Sequence, residues 1–374
     1  MNAPHEVLPR TVEVIKQGIV GGLHIGAQVY VSIDGEPVAD FGIGEARRGL
    51  AMTNQTIMLW LSAVKPVGAV ALAHLWEQGK LDLDDRVCQY IPEFGTKGKD
   101  VVTLRHILTH TAGFRFPEVE SRSAGWDAII SLLCEAEIDP DWPPGRKAGY
   151  NPAATWHLLG EVVRRLDGRT FEAFVRETIF EPLGLDDCWI GLTTEHQAAY
   201  GERLGAMHAR AEGSLQLIPW TYDEAGDPPR PGGSGYGPIR GLGRFYEMLL
   251  ARGQQNKQQR DAARLLAPQT VESLTARHRT GLFDHTFEHV VDYGLGFVID
   301  SKMYGVNTVP YGYGPHCSPR TFGHGGSQCS IGFCDPEHCL VVAWVCNGRC
   351  GEGRHQRRNR AINTAIYEDL GLAT

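Results

Sequence analysis

The stretch Ser62-Ala63-Val64-Lys65 is the most informative part of the sequence. It lies in an apolar run, 59–76, whose pattern predicts a helix. Side chains three residues apart share one face of a helix, so the serine hydroxyl and the lysine amine can touch. A serine needs a base to become a nucleophile, and a lysine shielded from water can lose its proton and serve as that base. The stretch therefore predicts a Ser-Lys nucleophile, and the alternative is an ordinary helix face.

Composition narrows the class of protein. Of the 374 residues, 42% are apolar and 21% are charged, as in globular proteins with a large core. The net charge of -8 argues against nucleic acid and against an anionic membrane surface as partners. The sequence has no run of about 20 apolar residues that could span a bilayer. It also lacks the pattern of a secretion signal, so we expect a cytoplasmic protein.

Metal and cofactor motifs are absent from the sequence. The nine cysteines form no C-x-x-C pair and match no zinc ribbon, which predicts reduced, structural thiols. His106 and His110 are four residues apart but lack the glutamate of a zinc-protease helix, so we expect both to be structural. We predict no metal site and no cofactor, because a hydroxyl and an amine can carry the chemistry.

The hydrophobic period changes along the chain from strands to helices and back. Strands are predicted at 25–33 and 37–43, and helices dominate 66–250. Strands return at 293–299, 321–322, 330–333 and 340–346, before a final helix at 358–370. Strands at both ends with helices between them predict one α/β unit that carries a large, all-helical insertion. We expect 1–65 and 250–374 to form the sheet part and 66–249 the helical part, with the active-site cleft between them.

A Ser-Lys nucleophile also needs a proton shuttle, and Tyr150 is the candidate. It follows a turn at Pro143-Pro144-Gly145 and precedes a predicted helix at 153–166, so a rigid backbone can direct it into a cleft. Beside an ammonium group the pKa of a tyrosine falls, which would suit a general acid and base. The alternative is a surface tyrosine that packs on Pro144.

The candidate oxyanion site is Phe322-Gly323-His324-Gly325-Gly326-Ser327. Glycines at a strand edge let a substrate lie against the backbone. The backbone N–H groups of Ser62 and Ser327 could then hold a developing oxyanion, and His324 could add a cation or a hydrogen-bond donor. The alternative is a cluster of turn glycines.

Taken in order, these residues resemble the serine β-lactamase and penicillin-binding protein superfamily, in its class C-like branch of esterases, transacylases and D-aminopeptidases. The blocks that carry the resemblance are SAVKPV from Ser62, LDLDD from Leu81, LRHILTHTAG from Leu104, WPPG from Trp142, YGLG from Tyr293 and FGHGG from Phe322. The resemblance implies an antiparallel sheet flanked by helices. It also implies that Ser62 is acylated, that Lys65 is its base and that Tyr150 is the second acid and base.

The chain departs from the family pattern at two places. Asn151 follows Tyr150 directly, whereas the family has Y-x-N, and His324 stands where lactamases usually carry lysine. A histidine has an ordinary pKa of about 6.5 and is mostly neutral at pH 7, so it suits a substrate carboxylate less well. This favours neutral ester or acyl substrates. Trp142, Asn151 and Tyr236 are the candidate residues of the substrate pocket.

The leading hypothesis is a serine acyl-enzyme hydrolase or acyltransferase, acting on a small ester or activated acyl compound. Its partners would be a small-molecule acyl donor and, for transfer, an amine or alcohol acceptor. The second hypothesis is a β-lactamase or a D-amino-acid peptidase, and the third is a catalytically silent binding module on the same fold. The sequence leaves the oligomeric state open.

Overall fold

The computed structural model describes residues 4–113, 124–152, 154–218, 226–255 and 264–373. In chain order the helices are α1 (Pro4–Val7), α2 (Pro9–Val20), α3 (Lys65–Glu77), α4 (Val87–Tyr90), α5 (Leu104–Leu108), α6 (Trp126–Glu135), α7 (Thr155–Asp167), α8 (Phe171–Val175), α9 (Thr194–Tyr200), α10 (Ile239–Leu250), α11 (Pro268–Thr275) and α12 (Glu352–Asp369). Helix α8 continues as a π-helical segment, Arg176–Phe180.

The strands are β1 (Gly26–Ile33), β2 (Glu36–Arg47), β3 (Leu50–Ala51), β4 (Met58–Leu61), β5 (Trp189–Ile190), β6 (His208–Ala211), β7 (Ser214–Leu217), β8 (Gly235–Gly237), β9 (Phe283–Asp284), β10 (His289–Val290), β11 (Val298–Ile299), β12 (Phe322–Gly326), β13 (Ser330–Asp335), β14 (Leu340–Cys346) and β15 (Gly348–Arg349). The central sheet has the order β11-β12-β13-β14-β1-β2-β3, and its neighbouring strands are antiparallel. Strand β1 pairs with β14, from Ala27 opposite Cys346 to Ile33 opposite Leu340. The sheet therefore needs both ends of the chain, as predicted.

Both faces of the central sheet are covered, which explains the continuous apolar sequence of β14. Along β14, Val342 and Trp344 face a core shared with α2 and α12. The alternate residues, Val341 and Ala343, face a second core shared with α10 and the helical part. A strand buried on both faces reads as an unbroken apolar run rather than as an alternation. The antiparallel sheet flanked by helices is thus confirmed.

Helix α3 lies at the centre of the helical part. Its residues from Lys65 to Ala73 are buried, and its apolar side chains point in all directions around the axis. A helix that is hydrophobic all round must be enclosed by other elements, and α7 and α8 pack against α3. The segment 66–249 is not all-helical, because it contains β5 to β8. Helix α10 also lies in this segment, and it packs on the central sheet. The domain boundaries at 65/66 and 249/250 stay a prediction.

Two predicted elements were wrong in extent. The run 59–76 is not one helix: β4 pairs with β8 up to Leu61, a 3-10 turn covers 62–64, and α3 begins at Lys65. Short apolar runs fit a buried strand and a buried helix equally well, so their period cannot separate the two. The predicted strand at 293–299 is reduced to β11, since Gly296 has a φ of 83°. Residue 153, where a helix was predicted to begin, lies outside the described residues.

Within the described ranges, no helix is long and apolar enough to cross a bilayer. The cysteines are free thiols, and most of them are buried.

Candidate functional site

Ser62 stands at a sharp change of direction between β4 and α3. Leu61, just before it, has φ 50° and ψ -138°, a conformation that is costly for a residue with a side chain. Neighbouring strands hold this conformation in place. The Ser330 hydroxyl of β13 donates to the Trp60 carbonyl at 2.6 Å, and the Trp60 indole donates to the Gly237 carbonyl of β8 at 3.0 Å. The turn leaves Ser62 with 8% of its surface exposed, at the wall of a cavity.

The Lys65 amine is fully buried and contacts three oxygen atoms. Its Nζ lies 3.1 Å from Ser62 Oγ and 2.7 Å from each of the Pro152 and Gly232 carbonyl oxygens. Burial holds the pKa of Lys65 well below its ordinary value, so the neutral amine is favoured. A neutral amine has two N–H donors and one lone pair. When the two carbonyls accept the N–H groups, the lone pair faces Ser62 Oγ and can take its proton.

The Tyr150 side chain joins this pair. Lys65 Nζ lies 5.2 Å from the centre of the tyrosine ring, and the ring stacks on Phe287 with centroids 4.7 Å apart. Loss of solvation raises the pKa of Tyr150, and a hydrogen bond with Ser62 lowers it to a smaller extent. The expected fall in the tyrosine pKa is therefore wrong, because the effect of burial exceeds that of the hydrogen bond with Ser62. At pH 7 the side chain is a phenol that can donate a proton.

A buried ion pair holds the backbone of Tyr150. Asp284 Oδ1 accepts from the backbone N–H groups of Tyr150, Thr286 and Phe287 at 2.9–3.1 Å. Asp284 Oδ2 lies 3.1 Å from the Arg279 guanidinium, and both side chains are almost completely buried. Sequence reasoning missed this pair, since Asp284 is 134 residues from Tyr150 and belongs to no recognisable motif.

His324 lies in β12, opposite Gly332 of β13. Its Nδ1 donates to the Gly325 carbonyl at 2.7 Å, which assigns the proton to Nδ1 and leaves Nε2 as an acceptor. Burial, with a smaller effect of Lys65, lowers the pKa of His324 to about 3. The residue is therefore neutral at pH 7, and the expected cation or donor is corrected to an acceptor.

The oxyanion candidates lie against the strand that ends at Ser62. A Cβ atom on Gly326 would be 2.2 Å from the Trp60 carbonyl oxygen, and one on Gly325 would be 2.4 Å from the Tyr311 ring. Only glycine fits at these positions, which brings the end of β12 close to β4. Ser62 and Ser327 consequently line the same cavity, while their role as oxyanion donors stays a prediction.

This cavity has a volume of about 420 Å³. Its lining contains the predicted residues Ser62, Tyr150, His324, Gly325 and Ser327 together with Pro152, Thr286, Phe287, Glu288, Val298, Pro310, Tyr311, Glu352 and Gln356. Lys65 reaches it through its contact with Ser62. The structure therefore brings the nucleophile, base and shuttle candidates to one site.

The three predicted pocket residues lie outside this lining. The Trp142 indole is buried and donates to the Lys147 carbonyl at 2.9 Å. Asn151 Oδ1 accepts from the backbone N–H of Thr155, the first residue of α7, at 3.2 Å. The Tyr236 hydroxyl donates to Asp227 within the core, at 2.6 Å. Loop position alone was a poor guide to the direction of these side chains.

His110 has the structural place that the sequence predicts. Its Nδ1 accepts from the Asn151 backbone N–H at 3.1 Å, and its ring centre lies 4.7 Å from that of Tyr150. Burial keeps its pKa well below the ordinary value, so the ring is neutral. His110 thus supports the loop that carries Tyr150.

Comparisons with known proteins agree with this fold. The family model described as Beta-lactamase matches residues 13–366. The chain is 26% identical over 351 residues to the esterase/beta-lactamase LipL of Mycobacterium tuberculosis, covering 86% of this chain and 77% of LipL. It is 30% identical over 163 residues to the esterase EstB of Burkholderia gladioli, covering 39% of this chain and 42% of EstB. A penicillin-binding protein homologue from Caulobacter crescentus superposes with a TM-score of 0.76 at 29% identity, covering 96% of this chain and 98% of that structure.

Gly232 tests the position of the amine. A Cβ atom on Gly232 would lie 3.1 Å from Lys65 Nζ and 2.9 Å from Trp156 Cβ, so Gly232→Ala should displace the amine. In Gly232→Ala we expect Ser62 to react with a fluorophosphonate probe at least about tenfold more slowly than in the wild-type protein. Intact-protein mass spectrometry measures this rate. A Cβ atom on Gly233 would meet nothing within 4 Å, so Gly233→Ala is the matched control. Equal rates in both variants would contradict the assigned base.

Asp284 tests the buried ion pair. Asp284→Asn keeps the shape but leaves the Arg279 guanidinium buried without its counter-charge, which should lower the free energy of unfolding by about 3 kcal/mol in urea titrations. Asp186, whose side chain is 87% exposed beside Arg176, is the matched control. Asp186→Asn should cost less than about 1 kcal/mol. A similar small loss in both variants would rule out a structural role for the pair.

Proposed function

This chain belongs to the Beta-lactamase family, and from that premise we propose that it is a serine acyl-enzyme hydrolase or acyltransferase of the esterase and transacylase type. Its substrate is a small-molecule ester or activated acyl compound. The observation that carries the proposal is the position of the Lys65 amine. Two backbone carbonyls accept its N–H groups, which directs its lone pair at Ser62 Oγ, 3.1 Å away.

In the proposed first step, Ser62 Oγ bonds to the acyl carbon as its proton passes to Lys65. The negative charge that forms on the carbonyl oxygen is stabilised by the backbone N–H groups of Ser62 and Ser327. When the bond to the leaving group breaks, the Tyr150 phenol protonates the departing oxygen and regains a proton from the Lys65 ammonium. The result is an acyl-enzyme with Lys65 and Tyr150 in their starting states.

In the second step, water or an amine or alcohol acceptor attacks the acyl carbon. Tyr150 and Lys65 take the proton of this nucleophile and return one to Ser62 Oγ, which releases the acyl product. In this scheme, water and a bound acceptor react through the same proton transfers. The choice between hydrolysis and transfer therefore depends on which of them occupies the cavity.

The charges around the cavity support esters over β-lactams. His324 is neutral, and among the described residues that line the cavity none carries a positive charge, whereas Glu288 and Glu352 carry negative ones. The carboxylate of a penicillin or of a peptide C-terminus would meet no opposite charge on the lining residues that the structure describes. β-Lactamase or D-amino-acid peptidase activity is the second candidate, and the name of LipL, an esterase/beta-lactamase, favours the β-lactamase form of it. A silent binding module is the least supported, because Ser62, Lys65 and Tyr150 are all in place.

Ser62→Ala tests the nucleophile. Wild-type protein should hydrolyse p-nitrophenyl acetate and accumulate an acetyl adduct on Ser62, and the variant should lose at least about a thousandfold in kcat/KM because no acyl-enzyme can form. The absorbance of the released yellow p-nitrophenolate measures the rate of the reaction. Ser214→Ala, on the exposed strand β7, is the matched control and should keep the wild-type rate. Turnover by Ser62→Ala at the rate of the control would refute the assignment.

A further inference from the structure

The charged side chains that line the cavity beside Ser62 are acidic. Two carboxylates, Glu288 and Glu352, are among its lining residues, and no lining residue in the described part of the chain is positively charged at pH 7. Arg349 approaches this region, but it donates to Ser327 Oγ at 3.1 Å and is not among the lining residues. A ligand in the cavity therefore meets negative charge.

Glu352 is exposed, and neutral donors orient its carboxylate. The Tyr311 hydroxyl lies 3.1 and 3.3 Å from its two carboxylate oxygens, and the Gln328 amide donates to Oε1 at 2.9 Å. These contacts orient the carboxylate without cancelling its charge. Gln328 directly follows Ser327, so Glu352 is connected to the predicted oxyanion site through one neighbouring residue.

Aromatic rings form another part of the same wall. Phe287 stacks on Tyr150 at 4.7 Å and lies 6.0 Å from Tyr311, measured between ring centres, and all three residues line the cavity. The faces of aromatic rings attract cations, and the attraction adds to that of nearby carboxylates. A neutral apolar ligand would gain from the rings but not from the carboxylates.

A buried acceptor in the cavity also points to a ligand. His324 is 2% exposed and lines the cavity. With Nδ1 bound to Gly325, its Nε2 has no hydrogen-bond partner among the residues that the structure describes. A buried acceptor without a partner is costly, and a ligand with an N–H or O–H group would satisfy it.

We propose that this cavity selects esters or amides whose acyl or alcohol part carries a protonated amine, with Glu352 as the charge partner of that amine. The inference rests on the proposed acyl-enzyme function and adds the charge of its substrate. The amine satisfies the carboxylate and the aromatic faces together, and its N–H, or that of an amide, can donate to His324 Nε2.

Two acetate esters of the same shape test the proposal. In 2-(dimethylamino)ethyl acetate a protonated nitrogen stands where 3-methylbutyl acetate has a CH group. Hydrolysis in a pH-stat at pH 7 and low salt should give a kcat/KM at least about fivefold higher for the amine ester, as expected for one partly solvated charge pair. The preference should shrink as salt is added, because ions screen the attraction. An equal rate for both esters, or a preference for the anionic 4-acetoxybutanoate, would overturn the proposal.

Glu352→Gln assigns the preference to one side chain. The amide keeps the size of the carboxylate and removes its charge, so the ratio of kcat/KM for the amine ester over the neutral ester should fall about fivefold. Glu337→Gln, on the exposed turn between β13 and β14, is the matched control and should keep the wild-type ratio. An unchanged ratio in Glu352→Gln would show that Glu352 is not the charge partner.

The proposed function and this inference can fail separately. If neither ester is hydrolysed, the acyl-enzyme proposal fails, and calorimetric binding of 2-(dimethylamino)ethanol then tests the amine site alone. Binding that is weaker in Glu352→Gln than in Glu337→Gln would support the site. Equal binding in both variants, or none in the wild-type protein, would refute it.

Discussion

The proposed chemistry depends on one buried amine, that of Lys65. An ammonium group loses most of its hydration inside a protein, and that cost shifts Lys65 towards its neutral form. The carbonyl oxygens of Pro152 and Gly232 then determine the direction of its lone pair, because each is 2.7 Å from Nζ. In the proposed mechanism this direction activates Ser62, because a lone pair that faced elsewhere could not take the serine proton.

Segments that are far apart in the chain supply the parts of this arrangement. The turn after β4 carries Ser62, the loop before α7 carries Tyr150, and β12 carries His324. The sheet connects them, since β13 holds the turn through Ser330 and Trp60. Burial also raises the pKa of Tyr150, because the charged phenolate loses its solvation in the same site. Loss of solvation thus favours the uncharged form of both groups.

Features with a local sequence pattern could be predicted. The S-x-x-K spacing placed Ser62 and Lys65 in contact, and strands at both ends of the chain indicated a sheet that joins them. Features that arise from long-range packing could not. The spacing of apolar residues does not distinguish β4 from the first turn of a helix. What makes it a strand is its pairing with β8, which is distant in the sequence: Trp60 and Gly237, which are in contact, are 177 positions apart. The Arg279 and Asp284 pair and the directions of Trp142 and Tyr236 likewise depend on neighbours that only the folded chain provides.

The protonation state of Lys65 is the most direct test of this account. With ¹³C-labelled lysine, the Cε resonance of Lys65 can be assigned by its loss in Lys65→Arg and followed by NMR as the pH changes. The account predicts a resonance of the neutral amine at pH 7, with a midpoint well below the ordinary lysine pKa of about 10.4. A Lys65 resonance that remains that of an ammonium group up to this ordinary pKa would contradict it.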